Sequence, residues 1–350
     1  MGITKPSEQI NKAESSVEHR TGHRFGRELL KAAEAFAVES VAKSWWHVGS
    51  TFSLMIAALV GAGMAPWWPL QLMLSLFAGL LLVRAFITYH DYMHKAILRD
   101  SRLAWWLFRF YAAFALTPPR SWSKSHNYHH GHVGKITDAC VGAFPLITTE
   151  MWRDASGWKR FQYRVQRHPL IVLLGYFTIF AYSICLESLF SNPARHWDSA
   201  LVLLVHAALI TVLWVFGGFS LVLFVVLLPM LIASALGSYL FFAQHSFENM
   251  AIIKPEDWTF DRAALESSSF MKLNRLMRWF TGNIGYHHIH HLNVRIPFYR
   301  LPEAMDAIPE LQSPRTTSLK IRDIINCFKS SLWDEKLQSM VSFRQAKQMA

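Results

Sequence analysis

Apolar residues collect in six stretches, and polar segments rich in histidine and basic residues separate them. Residues 46–64 and 68–89 read as membrane-spanning helices, since roughly 20 residues cross about 30 Å of hydrocarbon. Pro66, Trp67 and Trp68 mark the turn between them, where tryptophan suits the bilayer interface. Residues 103–118 are apolar but short and carry Arg109, which predicts a re-entrant or interfacial helix ended by Pro118-Pro119. Three further stretches follow at 169–190, 199–216 and 219–243, the last two joined by a tight turn at Gly217-Gly218.

The polar segments carry the chemistry. They hold His90-Asp91-Tyr92-Met93-His94, then His126-Asn127-Tyr128-His129-His130, then His287-His288-Ile289-His290-His291. On a helix, positions i, i+3 and i+4 share a face. His90 and His94 therefore point one way, as do His126, His129 and His130, and as do His287, His290 and His291. His288 lies about 100° round from that face and is expected not to be a ligand. Imidazole suits iron, copper and zinc, and eight imidazoles on converging faces suit two ions better than one. A lone histidine is ordinarily structural or solvated, and His19, His23, His47, His168, His196 and His206 are read that way.

One site built from all three clusters requires them on one side of the membrane. The chain between His130 and His287 must then cross an even number of times, so one of the three later stretches does not cross. Pro169 opens 169–190 and Ser191-Asn192-Pro193 closes it, which singles it out and leaves four crossings. The basic residues agree. Segments 1–45, 90–168 and 246–350 hold 7, 12 and 14 of the 35 lysines and arginines, 33 together, and the turns at 65–67 and 217–218 hold none. By the positive-inside rule the histidine side is cytoplasmic. The expected fold is an all-α, multi-pass membrane bundle of about four transmembrane helices plus re-entrant or interfacial helices. A cytoplasmic helical cap carries the metal site. The expected divisions are a cytoplasmic segment at 1–45, a membrane domain at 46–305 and a cytoplasmic tail at 306–350, in a bacterial inner membrane.

Composition narrows the class. The 350 residues are 52% hydrophobic and only 17% charged, a balance that suits a polytopic membrane protein. The net charge of +11 fits orientation and attraction to anionic lipid, and no nucleic-acid motif accompanies it. Cys140, Cys185 and Cys327 are scattered, which argues against an iron–sulfur site or disulfide framework. The string GAGMAP at 61–66 has no preceding strand and is not a dinucleotide fingerprint. No haem-binding segment is evident, so any electrons must come from another protein.

Soluble di-iron bundles use Glu and Glu-x-x-His ligands, and no such motif lies on a spanning stretch here. An imidazole-rich site at the membrane surface would meet an apolar chain arriving from the lipid. In these features the sequence resembles the membrane fatty acid desaturase superfamily, and is most similar to acyl-lipid desaturases of the delta-12 and omega-3 type. The three histidine boxes carry the resemblance, with Gln244-His245-Ser246-Phe247-Glu248, residues 263–269 and 281–287, and His291-Leu292-Asn293-Val294-Arg295-Ile296-Pro297.

The resemblance implies two iron ions, dioxygen as co-substrate, an acyl-lipid substrate and electrons from ferredoxin or cytochrome b5. It implies as ligands His90, His94, His126, His129, His130, His287, His290 and His291, and adds His245, which on the residues alone is as readily a histidine ending an apolar helix. Asp91, Asn127, Glu248 and Asn283 are candidates to orient the ligand rings. Tyr92-Met93 replaces the Cys-Gly usual in the first box, and the bulk is expected to reshape the acyl tunnel. Other readings are an acyl or isoprenoid/carotenoid hydroxylase of the same fold, a membrane zinc hydrolase, and a metal transporter or sensor. A zinc hydrolase needs only about three protein ligands, and a transporter expects ionisable residues along its spans, where Arg84 and His206 are the few present.

Overall fold

A computed structural model describes residues 24–136 and 143–349. Helices dominate it: α1 (Gly26–Glu34), α2 (Val41–Met64), α3 (Trp68–Met93), α4 (Arg102–Phe114) and α5 (Pro119–His132) lead into a π-helical segment, Tyr176–Glu187. Among the described residues three helical stretches are long and apolar enough to cross a membrane: α2, α3 and Trp197–Gln244, which runs for 48 residues. At 1.5 Å per residue the last would measure about 72 Å, more than twice the hydrocarbon thickness. It is broken at Gly218, whose φ of 64° and ψ of −162° lie where essentially only glycine goes. The two arms, α6 (residues 197–217) and α7 (219–244), correspond to the last two stretches read from the sequence.

The break lies beside the first turn. A Cβ on Gly63, near the end of α2, would sit 2.9 Å from Leu221 Cδ1 and 3.3 Å from Val225 Cγ2. At the opposite end the Ser40 amide, just before α2, donates to the Tyr299 hydroxyl at 3.0 Å. Four helical arms therefore run between one end that holds both turns and another that holds the histidines. The segment anticipated not to cross starts and finishes at the histidine end. Before it, Arg167 donates to Ser246 Oγ at 3.1 Å, next to His245. After it, His196 Nδ1 meets Ser121 Oγ at 2.8 Å, at the start of α5.

Helix α4 takes the place of the short stretch with Arg109. It buries Ala104, Phe108, Tyr111 and Ala112 and leaves Trp106 and Phe110 exposed, with Arg109 stacked over Trp105 at 3.9 Å. This aromatic and basic mixture fits the interface. The charged and aromatic polar groups at two places within the bundle are partnered, which offsets the cost of burying them. Buried Arg84 donates to Thr51 Oγ1 at 3.0 Å, pairs with His47 Nδ1 at 3.1 Å and donates to the Trp279 carbonyl. Tyr176 and His206 share a hydrogen bond of 2.7 Å. These structural roles account for His47 and His206.

The cap gathers α1 and the residues after α7. Its sheets are two short pairs: β1 (Phe270–Lys272) lies parallel to β2 (Thr316–Ser318), and β3 (Leu332–Asp334) antiparallel to β4 (Ser339–Val341). The C-terminal segment packs into the cap. Cys327 and Trp333 are buried in the same core as Leu29 of α1, and Asp334 accepts from Thr149 Oγ1 at 2.9 Å.

Candidate metal centre

Four pieces of backbone bring the nine histidines together. His90 and His94 close α3, and α5 carries His126, His129 and His130. His245 ends α7, and α8 (His287–Leu292) presents His287, His290 and His291. They sort into two groups: His90, His94, His126, His130 and His290 form one, and His129, His245, His287 and His291 the other. Candidate ligand atoms within each group lie within 4.8 Å of one another. The i and i+4 members of each HxxHH string enter the same group, as with His126 and His130, or His287 and His291. The i+3 member enters the other. Adjacent residues on a helix diverge by about 100°, so His129-His130 and His290-His291 each straddle the two groups.

The spacing fits metal ions. His245 Nε2 lies 3.1 Å from His129 Nε2, 2.9 Å from His287 Nε2 and 3.1 Å from His291 Nε2. In the other group His126 Nε2 is 3.0 Å from His90 Nε2 and 3.1 Å from His130 Nε2, and His130 Nε2 is 3.2 Å from His290 Nε2. A ring nitrogen carries one proton or one lone pair, so hydrogen bonding can satisfy no more than one of the three neighbours of His245 Nε2. A shared cation satisfies all of them. Nitrogens at about 2.1 Å from an ion sit roughly 3.0–3.4 Å apart on adjacent corners, the separation found here.

Burial favours the ligating form. It holds His126, His129, His130, His287, His290 and His291 well below the usual imidazole range, helped by neighbouring histidines. His245 is brought down to about 4. Neutral rings bind metal without first losing a proton.

His288 stands apart. It belongs to neither group, and its Nε2 lies 3.3 Å from the Leu311 carbonyl, with the Phe270 ring 6.1 Å away.

Of the four residues anticipated to orient ligand rings, Asp91 alone meets one. Its Oδ1 lies 3.2 Å from His90 Nδ1, and its Oδ2 accepts from the Phe298 amide at 2.7 Å. Asn127 and Glu248 are exposed, and Asn283 donates instead to the Phe298 carbonyl at 3.1 Å. Nearness in sequence did not place these side chains beside a ring. Sequence reasoning missed the Ser267 carbonyl, 3.1 Å from His245 Nδ1. A backbone group leaves no side-chain signal.

Both groups open onto one cavity of about 1070 Å³, which His90, His126 and His287 line. Its walls come from α3 (Leu82, Phe86), α7 (Met230, Ala233), α4 and the π-helical segment. Tyr92 and Met93 are not among the lining residues. The expectation that they reshape this space is corrected: Tyr92 turns towards α4 and stacks on Phe108 with ring centroids 4.7 Å apart.

Comparison with known proteins agrees with the site. The family model described as fatty acid desaturase matches residues 65–319. A protein named fatty acid desaturase from Bacillus subtilis (strain 168) is 30% identical over 339 residues, covering 95% of this chain and 94% of its own. An sn-1 oleoyl-lipid 12-desaturase from Synechocystis sp. (strain ATCC 27184 / PCC 6803 / Kazusa) is 24% identical over 79% of this chain and 78% of its own. An sn-1 acyl-lipid omega-3 desaturase (ferredoxin) from Nostoc sp. (strain 36) is 25% identical over 67% and 66%.

Proposed function

The chain belongs to the fatty acid desaturase family, and from that premise we propose that it introduces a double bond into an acyl chain esterified to a membrane lipid. The chain is thus an oxidoreductase of the membrane. The observation that carries the finer reading is the opening of two imidazole groups onto one largely apolar cavity. In this proposal the nine histidines hold two irons. Iron bound there supplies the dioxygen chemistry needed to remove hydrogen from an unactivated C–H bond.

The chain's own residues do the rest. Leu82 and Phe86 hold the acyl chain against the ligand rings and keep water away. Asp91 and the Ser267 carbonyl fix the rings of His90 and His245. The oleoyl-lipid and acyl-lipid substrates in the relatives' names support a lipid-linked substrate. Ferredoxin, named for two of the relatives, is the first donor to try, and cytochrome b5 the second.

Expression in a bacterial host of defined lipid profile, with mass spectrometry of the fatty acids, tests the reaction. A new unsaturated acid that depends on oxygen is expected. A hydroxylated acid in its place would overturn desaturation. The charge asymmetry supports a cytoplasmic site in the inner membrane. Reporter tags at residues 5, 140 and 345 are expected on the cytoplasmic side, and tags at 66 or 217 across the membrane. Opposite placement of 140 and 345 would contradict this orientation.

A further inference from the structure

We propose that Gly237 sets the length of acyl chain the cavity accepts, an inference that rests on the acyl-chain reading of that cavity. Glycine is the poorest helix former after proline, so one inside a long helix calls for a reason. At Gly79 and Gly61 the reason is close packing: a Cβ on Gly79 would lie 2.8 Å from Ile232 Cβ, and one on Gly61 would lie 3.0 Å from Leu74 Cδ1. Gly237 differs, because a Cβ there would meet nothing within 4 Å. Its place is the cavity wall, and among the described residues it is the one glycine in the lining.

The wall around it has its smallest side chains in the middle of the α7 stretch. Nearest the histidines, α7 lines the cavity with Gln244, Phe241 and Leu240, around Gly237 with Ser238, Ser234 and Ala233, and furthest away with Met230. Gly237 lies seven residues before Gln244, about 10 Å along the helix. Gln162 and Gln166 also line the cavity, in the segment that ends at Arg167 against Ser246 beside His245, and this polar histidine end suits the ester and head group. The methyl end of the chain therefore passes Gly237, and the missing side chain is the room it passes through. A Cβ added there meets no neighbour, so a longer side chain built on it starts in open space at the cavity wall and takes up part of the room left there.

The test compares wild type with Gly237→Ala and Gly237→Leu. Saturated acids of graded length are fed to the expression host and the unsaturated products are measured by mass spectrometry. Binding of the same acids to the purified proteins is measured by displacement of a fluorescent acyl probe. Leucine is expected to shift the ratio of short to long products by roughly tenfold or more, alanine by less and in the same direction, with a matching loss of long-chain binding. Unchanged ratios and binding in both variants would overturn the proposal, as would a leucine variant inert towards all lengths beside an unchanged alanine variant. If wild type forms no unsaturated acid but binding still shifts with side-chain size, the desaturase reading fails and the wall assignment stands.

Discussion

His287→Ala is expected to abolish product and lower bound iron, whereas His288→Ala keeps both irons and at least part of its turnover. The two residues are adjacent, equally buried and chemically identical before substitution, so the contrast isolates geometry. His287 Nε2 lies 2.9 Å from His245 Nε2 and 3.1 Å from His291 Nε2, and its loss leaves one group with three imidazoles. His288 faces the Leu311 carbonyl, and its loss removes one hydrogen bond worth roughly 1 kcal/mol plus some packing. Metal analysis and product assay on both variants check this. Iron loss in His288→Ala beside normal iron in His287→Ala would reverse the register.

Asp91→Ala is expected to weaken metal binding or activity by roughly 10- to 100-fold, the usual consequence of removing the partner of a ligating histidine. The carboxylate touches His90 with one oxygen and the Phe298 amide with the other. It thereby links the end of α3 to the segment that follows α8. Chelator competition reads the metal term directly, and thermal unfolding of the same sample separates it from a general loss of stability. Wild-type resistance to chelator in Asp91→Ala would remove this role.

The helical faces were legible because histidine spacing at three and four residues has one geometric meaning. The split into two groups was not, since it depends on how α3, α5, α7 and α8 converge from distant parts of the chain. His245 illustrates the limit: a histidine that ends an apolar helix has no motif of its own, and only the resemblance singled it out. Asn127, Glu248 and Asn283 lie close in sequence to ligands, but a helix or turn directs neighbouring side chains apart, and beside His245 it is the carbonyl of Ser267 that meets the ring. The membrane layout was more legible. Gly217-Gly218 announced a break, and the break falls at Gly218. Pro169 and the polar closing residues announced a segment that returns to its own side, though nothing in the sequence signalled the π-helical geometry of Tyr176–Glu187. The cavity required the register of α3 against α7, which no local pattern encodes.

The central claim is that the two histidine groups hold the irons that drive desaturation, and iron stoichiometry measured together with turnover tests it most directly. Protein purified with activity is expected to contain two irons per chain, one for each group, with turnover rising in proportion to iron as metal is restored to a stripped sample. Full turnover in a sample without iron, or with zinc in its place, would contradict the account.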